Sequence, residues 1–107
     1  MTKPIVYICG PITSGGGSIA DNKARFFKAA ELLESKNCVV LHTAGLPLGL
    51  AERDYMRISN AMLESASVLY VLPRSAHSTG ARSEIAYATK LGLKVISECR
   101  DESPFVV

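Results

Sequence analysis

The sequence predicts one α/β domain, a three-layer sandwich around a four-stranded parallel sheet. Three observations carry this reading. Four short apolar runs rich in β-branched residues are separated by three stretches with helical spacing of apolar residues. Strands that alternate with helices imply parallel pairing through right-handed crossovers. At 107 residues the chain has the length of a single domain and can bury a core without staples.

Residues 4–9 (PIVYIC) form the first run, stopped by Gly10 and Pro11. It reads as a strand buried on both faces, as parallel sheets require. Ser18 and Asp21 then fit a capping box, and Phe26, Phe27, Ala30 and Leu33 share one helical face until Asn37 ends the helix. Residues 38–41 (CVVL) read as a second buried strand, followed by a loop at 42–49. A helix is expected from about 52 to 66, then a third strand at 68–72 (VLYVL), halted by Pro73. After a polar loop at 74–79, a helix runs from about 80 to 91 with Gly92 as its stop, and a fourth strand follows at 94–97 (KVIS). The resulting βαβαβαβ order is of the flavodoxin/Rossmann type. Such sheets bind ligands at the carboxyl ends of their strands, where the loops 10–17, 42–49 and 74–79 gather.

Composition narrows the function classes. Twelve basic residues against ten acidic ones leave a net charge of +2, too little and too evenly spread for a nucleic-acid or membrane surface. No apolar run approaches the length of a bilayer span. The first residues hold one lysine, Lys3, and no apolar stretch with a cleavage site, so a cytoplasmic protein is expected. Cys9, Cys38 and Cys99 are odd in number and lack ligand spacing, and read as reduced thiols. No His/Asp cluster points to a metal, and no cofactor is expected.

Three places have the residues for chemistry. The first is the loop that begins Gly10-Pro11-Ile12 and ends in the triglycine stretch at 14–18 (SGGGS). It joins a strand to a helix N-terminus, where glycine lets backbone approach a ligand and free N–H groups favour anions. Its spacing matches neither a Walker loop nor the dinucleotide fingerprint. The second is Ser78-Thr79-Gly80-Ala81-Arg82-Ser83-Glu84. On a helix, Glu84 points within roughly 60° of Ala81 and roughly 40° of Ala88, away from Arg82 and Lys90. A carboxylate on an apolar face is costly without a partner, yet in the first turns the helix dipole favours it. It is either an ionised nucleophile or a helix-start acid paired with Arg82 or a backbone amide. The third is Ser59, a hydroxyl central to an apolar stripe of Tyr55, Met56, Met62, Leu63 and Ala66, where such a hydroxyl usually bonds the carbonyl one turn back. His77, in the polar loop beside Ser78, is a surface residue or a proton carrier near neutral pH. Tyr7, Tyr55, Tyr70 and Tyr87 read as core aromatics.

Taken together, these residues resemble the nucleoside 2-deoxyribosyltransferase superfamily. That group includes 2′-deoxynucleoside 5′-phosphate N-hydrolases, CMP N-glycosidases and short bacterial and phage members of unassigned function. Four stretches carry the resemblance: Ile8-Cys9-Gly10-Pro11-Ile12; Asn22, Phe26, Ala30 and Leu33; Tyr55-Met56-Arg57-Ile58 before Ala61-Met62-Leu63; and Tyr70-Val71-Leu72-Pro73 leading to Ser78-x-Gly80-Ala81-Arg82-x-Glu84 and Ala86-Tyr87-Ala88. The resemblance implies N-glycosidic bond cleavage or transfer on a nucleoside or nucleoside 5′-monophosphate, with Glu84 as nucleophile. Ser78 and the Gly80 amide would hold the 5′-phosphate or 5′-hydroxyl, and Gly10, Pro11 and Ile12 would line sugar and base. Enzymes of that family usually carry an aspartate where Ser59 stands and commonly a second where Ser67 stands, and its short members tend to carry Gly-Trp where Arg74 and Ser75 stand. Serine cannot replace a carboxylic acid as proton donor, so His77, Asp54 or Glu52 are the substitutes to consider. The lost aspartates also admit a catalytically impaired nucleotide- or sugar-phosphate-binding protein, or a phage-type interaction protein. Phosphoribohydrolases of the lysine-decarboxylase-like group are the nearest enzymatic rival, but they carry a longer glycine-rich motif. A homodimer is expected from the exposed edges of a four-stranded sheet and from the apolar surface of the Met56–Met62 helix and the tail Phe105-Val106-Val107.

Overall fold

The computed structural model describes residues 3–98. Cys99 and the tail at 104–107 lie outside the described residues. The elements are β1 (Ile5–Cys9), α1 (Ile19–Ser35), β2 (Val39–Leu41), α2 (Glu52–Ser65), β3 (Val68–Val71), a short 3₁₀ turn (Ser75–His77), α3 (Thr79–Leu91) and β4 (Lys94–Ser97). All four strands pair in parallel in the order β2-β1-β3-β4. The four-stranded parallel α/β architecture is therefore as the sequence implies.

The pleat of β1 builds the layers. Val6 and Ile8 face α1 and pack with Phe26, Ala29 and Ala30. Tyr7 and Cys9 face the other way and pack with Leu63 of α2 and Ala88 of α3. Tyr7, Ile8 and Cys9 are fully buried, the double burial expected of a central parallel strand.

The second strand is not buried as expected. Val39 is 42% exposed, and Val40 and Leu41 are half-buried. In this strand order β2 is an edge with a single neighbour, and a short apolar run cannot distinguish an edge from a centre. The helix ends follow the sequence signals closely. The Ser18 hydroxyl accepts from the Asp21 amide (3.0 Å) at the start of α1. Asn37 adopts left-handed backbone (φ 68°) just past its end, and Gly92 (φ 82°) closes α3.

Chain direction places the site. From β1 the chain steps outward to β2, then crosses back over β1 to β3. Their carboxyl ends therefore lead into loops that diverge, leaving a crevice at that edge. At its base Gly10 must be glycine: a Cβ there would sit 2.9 Å from Leu72 Cβ and Cδ1.

Candidate active site

The crevice is a cavity of about 750 Å³, of the size that small-molecule sites have. Gly10, Ile12, Ser59, Ser78, Gly80 and Glu84, far apart in sequence, all line it.

Glu84 lies in the second turn of α3. Its Oε2 accepts a hydrogen bond from the Tyr7 hydroxyl at 2.8 Å. The hydroxyl of Thr43, two residues past the end of β2, lies in position to donate to the Tyr7 oxygen. The Ser59 hydroxyl donates to the Met56 carbonyl (3.2 Å), and it also lies within reach of Glu84. Burial pushes the Glu84 carboxyl up to about 7, and the Tyr7 and Ser59 hydroxyls oppose that rise by favouring the charged form. Burial, then the neighbouring Glu84 charge, raises the Tyr7 phenol and the Cys9 thiol above their ordinary ranges. Both therefore stay protonated, and toward Glu84 the Tyr7 hydroxyl is the donor. Arg82 is exposed and plays no part as a partner to Glu84.

The N-terminal cap of α3, ahead of Glu84, shapes the polar wall. Ser78 caps the helix, its hydroxyl accepting from the Ala81 amide (3.3 Å) and meeting the Ser14 hydroxyl at 3.1 Å. Gly80 has open space where a Cβ would stand, so no packing neighbour requires glycine there. Its bare backbone leaves the first turn of α3 open to the cavity. Lys23 and Asn60 add polar groups, and Leu46, Leu48, Leu50, Tyr55 and Met56 supply an apolar wall.

The fold matches a solved structure of a 2-desoxiribosyltransferase from Leishmania mexicana, with a TM-score of 0.67 and 16% identity over 88% of this chain. This chain spans 63% of that structure's length, so it is less than two thirds of it. The fold is nucleoside 2-deoxyribosyltransferase-like. The sequence profile described as Domain of unknown function (DUF4406) matches residues 4–97. The chain belongs to the DUF4406 family. No curated protein matches the sequence at a significant level.

Within this DUF4406 fold, several candidate residues fall elsewhere. Pro11 is buried beneath its loop and does not line the cavity. His77 is exposed at the end of the 3₁₀ turn, also off the cavity, and His42 packs against Phe26 and Phe27 on the α1 side. Ser67 lies at the opposite edge of the sheet, its amide bonded to the Ile5 carbonyl at the start of β1 (2.9 Å). An acid there would not reach the cavity. Of the two α2 acids weighed as donors, Glu52 lines the cavity and Asp54 does not. Tyr7, Thr43, Lys23 and Asn60, with Leu46, Leu48 and Leu50, are members that sequence patterns did not single out. Tyr7 did carry one signal, since a buried tyrosine hydroxyl needs a partner. Among the described residues, no group of three or more His, Cys, Asp or Glu side chains gathers to hold a metal, and no helix is long and apolar enough to cross a membrane.

Proposed function

We propose that the cavity binds a nucleoside or nucleoside 5′-monophosphate and that Glu84 cleaves its N-glycosidic bond. The observation behind this reading is the Glu84 carboxylate, held at 2.8 Å by a buried tyrosine hydroxyl and open to a nucleotide-sized cavity. An ionised Glu84 oxygen attacks the anomeric carbon as the carbon–nitrogen bond breaks. The bonding electrons leave with the base, which takes up a proton, and a glycosyl ester remains on Glu84. Water or a second base then attacks the same carbon and frees the carboxylate. A carboxylate suits both tasks: it stabilises the oxocarbenium-like transition state and then bonds to it. Ser78, Ser14 and the start of α3 fit a 5′-hydroxyl or phosphate, and the leucine, tyrosine and methionine wall fits a base.

The test is release of free base from a panel of nucleosides and their 5′-monophosphates, followed by chromatography. Wild type is expected to release base, and Glu84→Gln to lower the rate by at least about a thousandfold. Equal rates in the two proteins overturn the assignment.

Ser59 favours a second reading, a binding protein without turnover. It occupies the inner wall beside Glu84 but cannot give a leaving base a proton. Nucleotide binding by calorimetry with no base release at any pH would select it.

A further inference from the structure

The connection after β3 holds an unusual backbone conformation. Arg74 is left-handed, with φ 67° and ψ 15°. A side chain at that conformation costs free energy that glycine would not, and such strain persists only where the surroundings enforce it. The surroundings here are specific. Arg74 Nη2 donates to Asn22 Oδ1 at 3.2 Å, across 52 residues of sequence. Asn22 is 1% exposed, and its amide nitrogen donates to the carbonyls of Ile12 (2.9 Å) and Gly16 (3.0 Å). Its oxygen also accepts from Arg25 Nη1 at 2.9 Å. All four hydrogen-bonding positions of this one amide are thus filled, two of them by cations. Neither guanidinium has an acidic partner among the described residues.

The glycine-rich loop is closed beneath this arrangement. Gly15, Gly16 and Gly17 take φ values of 88°, 88° and 81°, in a region only glycine enters freely. At Gly17 a Cβ would come within 3.0 Å of both Arg74 Nη2 and Asn22 Oδ1. Three successive glycines, having no side chains, give the loop wide conformational freedom. Yet the same loop presents Ile12, Thr13 and Ser14 to the cavity, and Ser14 meets the Ser78 cap.

We propose that Arg74 is a positioning residue: through Asn22 it fastens the glycine-rich loop to the β3–α3 connection and so sets the 12–14 wall of the cavity. Its effect on substrate rests on the proposed glycosidase reading; its effect on the loop does not.

The experiment compares Arg74→Gly, Arg74→Ala and Arg74→Lys in the full chain. Arg74→Gly removes the fastening and the backbone strain together, so it is expected to melt at or above the wild-type temperature. Arg74→Ala removes the fastening and keeps the strain, so it should melt below both. In both variants the NMR order parameters of residues 13–17 are expected to fall from about 0.85 toward about 0.6 or less. With an active nucleoside monophosphate, KM should rise about tenfold while kcat changes by less than about twofold. Arg74→Lys, which keeps a cationic donor, should recover part of both effects. Unchanged order parameters in Arg74→Gly overturn the proposal, as does an unchanged KM in a protein whose wild type turns over. If wild type neither binds nor cleaves any nucleotide, the glycosidase reading fails and the order parameters alone decide this one.

Discussion

The two faces of β1 are built from different material. Toward α1, Val6 and Ile8 meet Phe26, Ala29 and Ala30 in apolar contact, and the one polar side chain buried on that helix, Asn22, has all its hydrogen-bonding positions filled. Toward α2 and α3, Tyr7 and Cys9 meet Leu63 and Ala88, but the same layer also takes in the Glu84 carboxylate and the Tyr7 hydroxyl. Around Phe26 the first face answers to packing, and its core cluster holds no carboxylate. The second gives up some stability to hold a charge where water is scarce, as functional sites commonly do. The contrast makes opposite demands on substitutions in the two layers.

The largest effect is expected on the α1 face. Phe26 is 1% exposed and central to that layer. Phe26→Ala should cost about 3–5 kcal/mol, a large share of the stability of a domain this small. Equilibrium denaturation would show it as a lower midpoint. A loss under about 1 kcal/mol would mean that this layer does not carry the fold.

On the other face, removing a charge should stabilise. The folded Glu84 carboxyl titrates near 7, above its ordinary 4.5. Folding therefore favours the protonated form. Below pH 4.5 both states hold the proton and no penalty exists. Between 4.5 and 7 the unfolded chain ionises while the folded one resists, so stability falls as pH rises. Above 7 the penalty is complete. Glu84→Gln should erase that slope, leaving stability equal to wild type at low pH and greater by about 3 kcal/mol at high pH. Denaturation midpoints across this range check it. A Glu84→Gln protein less stable than wild type at high pH would show that the ionised carboxylate is welcome in its layer.

The same contrast explains what could be read from the sequence. Helical periodicity was enough to put Glu84 beside Ala81 and Ala88, both buried, and Ser59 inside its apolar stripe. Glu52 was also legible in principle, because it precedes Ser59 by seven residues, two turns along the same face of α2. The Tyr7–Glu84 pair was not, since the partners are 77 positions apart and meet only through the order of strands. Loops defeat periodicity altogether, and His77 faces solvent in a short turn although its neighbour Ser78 is buried. The Ser67 position shows the converse limit. The resemblance implies an acid position there, yet Ser67 stands at the amino end of β3, away from the carboxyl-edge cavity.

The smallest expected effect is also the most discriminating between the two faces. Tyr7 belongs to the core by burial and to the site by its hydroxyl, and Tyr7→Phe removes only the latter. Loss of that donor withdraws support from the ionised form of Glu84, whose carboxyl is already raised, so the carboxyl should titrate higher still. Base release that depends on an ionised Glu84 rises with pH through about 7 in wild type. In Tyr7→Phe that limb should move upward by less than about one unit, lowering the rate below neutral pH by under about tenfold and restoring it in alkaline solution. The hydroxyl then serves to tune the nucleophile. A uniform loss at every pH, with the limb unmoved, would instead mean that Tyr7 orients Glu84 and leaves its proton affinity alone.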